Sequence, residues 1–227
     1  MSLSEGMIEG GAASSSQSVD TLRAMTDVTQ AYSRRAAEYT DRLGSMDAVH
    51  PADRQLVDSW AEMVSGPVLD AGCGPGHWTK HIADRSLDVC GIDLVPAFIE
   101  HARSTYPGIR FDLGSIDHLE APDDHFGGVL SWYSTIHHHP SRISLPIGEF
   151  ARVLRPGGAL LLGFFDGSTT DEFDHAVAPA YRWPASALHE VLGTNGFKVL
   201  ETYRRTGRGH RPHGAILCQQ NVDAPPI

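Results

Sequence analysis

Apolar positions along the chain change their period after the first third. Val28, Ala31, Tyr32, Ala36 and Tyr39 fall on one face at helical spacing. A second helical stripe, Leu56, Val57, Trp60, Ala61 and Val64, follows Pro51, a residue suited to a first helical turn. After Gly66-Pro67 short apolar runs alternate with helical segments. The runs at 68–69, 87–92, 109–111, 128–132 and 159–165 predict strands, and Trp78–Asp84, Pro96–Tyr106 and Ser144–Leu154 predict helices between them. Such alternation implies parallel pairing with right-handed crossovers, a doubly wound Rossmann-like α/β fold. Pro184 opens another helix through Leu188, Val191 and Leu192, closed by Asn195-Gly196. The last two runs, 197–203 and 214–219, are joined by ten residues without helical pattern. A hairpin is expected there, which makes the last strand antiparallel.

The segment from Met1 to about Ser18 is rich in Ser, Gly and Ala and is read as a disordered tail, with residues 19–227 forming one domain whose first part, 19–65, is a helical cap. A length of 227 residues with 41% hydrophobic content suits one sizeable domain with a real core. Lys and Arg number 18 against 28 Asp and Glu, a net charge of -10, which argues against a nucleic-acid partner. No apolar run approaches the ~20 residues that cross a bilayer, and the start of the chain does not read as a signal peptide. Cys73, Cys90 and Cys218 lack C-x-x-C spacing, so neither a disulfide framework nor a zinc site is suggested. A cytoplasmic protein with reduced thiols is expected.

The most informative segment is Val68-Leu69-Asp70-Ala71-Gly72-Cys73-Gly74-Pro75-Gly76: a buried strand runs into a turn with glycine at every second position, and a helix follows at once. Glycine there permits positive φ and lets a ligand approach bare backbone, while the helix start offers unpaired N–H groups. A dinucleotide fingerprint would place its third glycine where His77 stands. The carboxylate of Asp70 at the loop's mouth suits a ligand with an α-amino group better than a pyrophosphate. Asp93 ends the second strand 17 residues after Gly76, where a carboxylate can accept both hydroxyls of a ribose. It could instead cap the helix that opens near Pro96.

The ordered set of segments resembles the class I S-adenosylmethionine-dependent methyltransferase superfamily, in the branch similar to the type 11 (ubiquinone/menaquinone-methyltransferase-like) group. Carrying the resemblance are the glycine loop, Gly91-Ile92-Asp93, Gly114-Ser115-Ile116, Val129-Leu130-Ser131-Trp132, the turn Arg152 to Gly158 and Asn195-Gly196-Phe197, over roughly residues 28–219. It implies a seven-stranded sheet with an antiparallel last strand. S-adenosylmethionine is the implied cofactor and S-adenosylhomocysteine the product. The implied cofactor contacts are Gly72, Gly74 and Gly76 toward the methionine portion, Asp93 at the ribose, Ser115 and Ile116 flanking the adenine, and Trp132 beside the cofactor. Asp70, Cys73, Trp78 and Leu94 join that set, and Tyr32 and Tyr39 could close the site from the N-terminal helix. One departure is Gly127-Gly128, where the family usually carries an aspartate after Phe126.

Methyl transfer needs proximity, orientation and a dry pocket, with no metal required. An oxygen or nitrogen nucleophile must also lose a proton, so a base within reach helps. His137 and His138 follow the fourth strand, at the sheet edge where ligands sit, and are the candidate bases, with ordinary loop hydrogen bonding as the alternative. The stretch 164–183, which mixes aromatics with Asp, His and Arg, is read as a possible acceptor-site loop. Arg204, Arg205, Arg208 and Arg211, interleaved with His210 and His213, could grip an anionic acceptor or form a solvated hairpin tip. The expected function is methylation of a small-molecule acceptor at oxygen or nitrogen. The alternatives are a binding module without turnover and, opposed by Asp70 and His77, a nicotinamide oxidoreductase.

Overall fold

The computed structural model describes residues 12–207 and 210–222. Strands β1 (Val68–Ala71), β2 (Val89–Asp93), β3 (Arg110–Leu113), β4 (Phe126–Trp132) and β5 (Leu154–Asp166) form a parallel sheet in the order β3-β2-β1-β4-β5. Helices α3 (His77–Ala83), α4 (Pro96–Thr105) and α5 (Ser144–Val153) supply connections, each within a residue or two of its predicted bounds. After α6 (Ala185–Thr194) come β8 (Phe197–Gly207) and β9 (His210–Gln220), and β9 runs antiparallel between β5 and β8. The antiparallel last strand was expected. Its ten-residue connection is mostly strand, because β8 and β9 pair as far as Gly207 and His210.

Period-two alternation builds a core on each face of the sheet. Leu160, Leu162 and Phe164 of β5 join Ile216 and Cys218 of β9 under α5 and α6, whereas Ala159 and Leu161 join Ala215 and Leu217 on the opposite face. There they meet Val57, Trp60 and Ala61 of α2 (Pro51–Met63) and Trp78 and Ile82 of α3. The Trp60 indole N–H donates to the Ala159 carbonyl at 3.3 Å.

The stretch 164–183 is a hairpin rather than an irregular loop. β6 (Asp171–Phe173) pairs antiparallel with β7 (Ala180–Trp183), and β7 pairs with the last two residues of β5. β9 already occupies one edge of Phe165, so β7 lies on the other, which β4 leaves after Gly163. The sheet thus counts nine strands among the described residues, the seven expected plus this pair. Buried Ala180 and Trp183 anchor it.

Helix α1 (Ala12–Leu43) starts inside the stretch read as a tail, since extending a helix costs far less than nucleating one. The rest of that stretch, residues 1–11, lies outside the described residues. Toward its C-terminal end α1 lays Tyr32, Ala36 and Tyr39 on Val95 and Phe98, a small cluster separate from the two main cores.

The Gly127-Gly128 departure has a steric basis. A Cβ at Gly127 would stand 1.9 Å from the Ser65 carbonyl oxygen, and one at Gly128 would stand 2.7 Å from Val64 and 2.9 Å from Trp60. Gly127→Ala is therefore expected to force a backbone shift costing about 2 kcal/mol or more, seen as a melting temperature lowered by roughly 5 °C. An unchanged melting curve by circular dichroism would contradict this packing.

Candidate active site

The glycine loop is stitched to β2 before the helix begins. The amides of Gly72 and Cys73 both donate to the Ile92 carbonyl, at 2.8 and 2.9 Å. The three glycines, all at positive φ, meet different constraints. A side chain at Gly72 would collide with Ser134, and one at Gly76 would press on the Phe111 ring at 2.9 Å, while the space around Gly74 is open. Gly72 and Gly76 thus satisfy packing, and Gly74 leaves backbone bare toward a ligand.

Asp93 holds this turn in place. One carboxylate oxygen accepts from the Gly74 amide and the other from the Val95 amide, both at 2.8 Å, and its carbonyl accepts from Gly114 at 3.0 Å. Burial raises its carboxyl above the usual carboxylate range, opposed by the backbone N–H groups. The Val95 bond is an Asx turn leading into α4, whose N-cap Val95 has no side-chain capping bond, and further lone pairs remain on both oxygens. Asp70 is also buried and accepts the Thr79 hydroxyl at 2.6 Å. With no cationic side chain in ion-pair range among the described residues, burial pushes it up to about 7.

Both carboxylates border a cavity of about 1860 Å³, well above the ~300–1,000 Å³ of common small-molecule sites. The residues expected around the cofactor line it with two exceptions: Gly76 is packed beneath Phe111, and Ser115 turns its hydroxyl to the Asp117 amide at 3.1 Å. Trp78 and Trp132 meet edge to face at 5.7 Å on one wall. Tyr32 and Tyr39 roof the cavity, packing on Phe98 with ring centres 6.0 and 5.3 Å away. Burial and the Asp93 charge push the Tyr39 phenol up to about 12, and burial first, with Tyr39 and Asp93, raises Tyr32 further.

His137 and His138 both line the cavity, and both are engaged. Nδ1 of His137 lies 2.7 Å from the Pro179 carbonyl, which can only accept, so Nδ1 carries the proton. Nε2 then accepts from the Tyr32 hydroxyl at 2.9 Å. Burial lowers the imidazole to about 4 despite the Pro179 hydrogen bond, away from the ordinary histidine range expected of a base working near neutrality. His138 is set between the Asp117 carboxylate at 2.7 Å and the Thr135 carbonyl at 3.3 Å. In place of the third dinucleotide glycine stands His77, a half-buried imidazole lowered to about 4 by desolvation and the neighbouring His81.

Away from the glycine loop the cavity is also lined by groups outside the predicted cofactor and base set. Asp53 of α2 pairs with Arg205 of β8 at 2.8 Å, and the same guanidinium touches His50. Nothing on the polar face of α2 announces a partner 152 residues away. Tyr133, one residue past β4, sits in the left-handed region at φ 59, held between Trp132 and Phe165 rings 5.4 and 5.2 Å off. The arginines considered for gripping an anion are already partnered. Arg204 pairs with buried Asp166 at 2.7 Å, and Arg211 donates to the Asp174 carbonyl and lies 4.7 Å over Phe173. Arg208 lies outside the described residues. No group of three or more His, Cys, Asp or Glu residues is placed to hold a metal among the described residues, and none of their helices is long and apolar enough to cross a membrane.

A cavity that joins an open glycine turn, a buried carboxylate without a cation and a carboxylate at a strand end fits an adenosyl amino acid. Comparison with known proteins agrees. Residues 68–158 match the family model described as a methyltransferase domain. A probable S-adenosylmethionine-dependent methyltransferase of Mycolicibacterium smegmatis is 33% identical over 138 residues, 60% of this chain and 53% of that protein. A malonyl-[acyl-carrier protein] O-methyltransferase of Yersinia pestis is 30% identical, over 63% of this chain and 52% of that one. The chain thus spans about half the length of these relatives. Among solved structures, the 1,6-didemethyltoxoflavin-N1-methyltransferase of Burkholderia thailandensis, with 1,6-didemethyltoxoflavin and S-adenosylhomocysteine bound, shares the fold at a TM-score of 0.68 and 17% identity, covering 96% of this chain and 93% of that one. Residues 68–158 thus match a methyltransferase domain, and S-adenosylmethionine-dependent methyltransferases are what the chain is similar to in sequence.

Proposed function

We propose that this protein transfers a methyl group to an oxygen or nitrogen of a small-molecule acceptor. The observation that carries the reading is the single cavity, in which the bare Gly74 backbone and the Asp70 and Asp93 carboxylates share walls with an aromatic, histidine-lined end. When bound, S-adenosylmethionine supplies a sulfonium-activated methyl group. Asp93 and Leu94 would hold its ribose end, Ile116 the adenine, and Gly72, Gly74 and Asp70 the methionine end.

The chain's own contribution is binding, orientation and exclusion of water. Asp70 gains a counter-charge when an ammonium group lies beside it, so its burial is compensated only in the complex. His137 is a positioning residue in this reading: it ties Tyr32 of α1 to the Pro179 carbonyl and so fixes the roof over the reacting groups. The named activities of the relatives, a malonyl-carrier O-methyltransferase and a toxoflavin-precursor N-methyltransferase, support oxygen or nitrogen as the acceptor atom. Residues 164–183 form part of the acceptor side, because Glu172, His175, Val177 to Pro179 and Tyr181 line the same cavity.

Asp93→Ala is expected to weaken S-adenosylhomocysteine binding at least tenfold in calorimetry while the fold survives, through loss of charge-assisted hydrogen bonds. Unchanged affinity would remove Asp93 from the site. Asp70 gives a pH test. Its carboxyl, at about 7 in the folded protein against ~3.9 when unfolded, binds more protons in the native state between those values. The stability of the free protein should therefore fall as pH rises from about 4 to about 7, and Asp70→Asn should remove that slope from the melting temperature. Affinity for S-adenosylhomocysteine should rise over the same titration, toward about pH 8, in wild type and stay low and flat in Asp70→Asn. Parallel slopes in both proteins would contradict the role given to Asp70.

A further inference from the structure

Strand β8 is an open edge of the sheet. Among the described residues it pairs with β9 alone, and every residue from Glu201 to Arg204 is exposed. An unpaired edge offers a row of N–H and C=O groups to another strand, and proteins commonly blunt it with bulges, charges or proline. Here the irregularities fall at Val199/Glu201 and Arg205/Gly207, which leaves the stretch 201–205 in unbroken register between them. Leu200 and Tyr203, two of the exposed large apolar side chains, lie on this strand.

The register also fixes the faces. Glu201, Tyr203 and Arg205 stand opposite Leu217, Ala215 and His213, and Leu217 and Ala215 belong to the core beneath α2. All three side chains therefore share the α2 face, where Arg205 meets Asp53 and the Tyr203 hydroxyl donates to the Glu201 carboxylate.

A second copy fits this edge by symmetry. Two antiparallel strands related by a two-fold axis perpendicular to their common sheet keep each side chain on its own face, and one residue opposes itself. An axis on Tyr203 sets Glu201 against Arg205 of the partner subunit, twice, with the two tyrosine rings side by side. An axis on Glu201, Arg204 or Arg205 would set like charges in direct opposition, and one on Thr202 forfeits both ion pairs. Arg205 has donors to spare, since its guanidinium carries five N–H groups and its partners within the chain are His50 on one terminal nitrogen and Asp53 on the other.

We propose that β8 pairs antiparallel with β8 of a second copy about Tyr203, extending the sheet across a homodimer, with Glu201 and Arg205 setting the register. The paired stretch is short, so a small interface and reversible association in the micromolar range are expected. Because Arg205 lines the cavity, the dimer brings Glu201 of the partner subunit to the margin of each site.

Sedimentation equilibrium of the full chain over a range of concentrations tests the association, and wild type is expected to pass from monomer to dimer. Glu201→Arg replaces both ion pairs with opposed arginines and should weaken the dimer by roughly tenfold or more. Its melting curve should be held, because Glu201 is exposed. Mixing it with Arg205→Glu, whose own copies repel in the same way, restores both pairs with the signs exchanged, so the heterodimer should be tighter than either homodimer. Tyr203→Cys places a thiol opposite its own copy, at the ~4.5–5.5 Å Cα separation that a disulfide spans, and mild oxidation should cross-link it. The native cysteines are buried and supply no background, and Thr202→Cys should cross-link far more slowly. This cysteine pair decides the register even where Arg205→Glu, which faces Asp53, fails to fold. A wild type that stays monomeric throughout, Glu201→Arg that dimerises as tightly as wild type, or Thr202→Cys that cross-links as fast as Tyr203→Cys overturns the proposal.

Discussion

The site depends on one carboxylate. Asp93 accepts the Gly74 amide with one oxygen and the Val95 amide with the other, so the glycine turn after β1 and the start of α4 are fixed to the end of β2 by a single side chain. Burying a carboxylate costs several kcal/mol unless hydrogen bonds replace its hydration, and two charge-assisted N–H bonds at short distance do so here. The remaining constraints follow. With the loop held at Gly74, Gly72 must lie against Ser134 and Gly76 beneath Phe111, which sets the opening angle of α3 and leaves the bare face of the turn toward the cavity.

The two ends of that cavity differ in charge. At the loop end Asp70 is buried without a cation among the described residues, and burial, with the Asp93 charge, raises its carboxyl. At the other end Arg205 is balanced by Asp53. A ligand with a positive group is therefore favoured at the loop end, as the methyl-transfer reading requires of the donor. The Tyr32–His137–Pro179 chain joins the two ends, because it carries a residue of α1 to the loop before β7.

The order of strands and helices was legible in the sequence because burial on both faces gives β1, β4 and β5 continuous apolar runs, and the glycine loop has few other uses. The β6–β7 hairpin was not legible. Its strands are three and four residues long, and only Ala180 and Trp183 are buried. His137 and His138 could be placed near the site as candidate bases, but their hydrogen-bond partners, Tyr32 and the Pro179 carbonyl for His137 and Asp117 and the Thr135 carbonyl for His138, could not be read from the sequence. The Asp53–Arg205 pair joins α2 to β8 with no local signal at Asp53, while Arg205 was read only with its neighbours as an anion grip or a hairpin tip. The start of α1 was placed too late because low hydrophobicity was read as disorder where a helix continues.

The central claim is that the Asp93-held turn is the cofactor cradle, and a crystal structure of the protein with S-adenosylhomocysteine tests it most directly. The account predicts both ribose hydroxyls within hydrogen-bond distance of the Asp93 carboxylate, ~2.6–3.2 Å, with the Gly74 amide still donating to the same group and the amino group on the Asp70 side of the loop. Density for the ligand elsewhere in the cavity, or a ribose with no contact to Asp93, would contradict it.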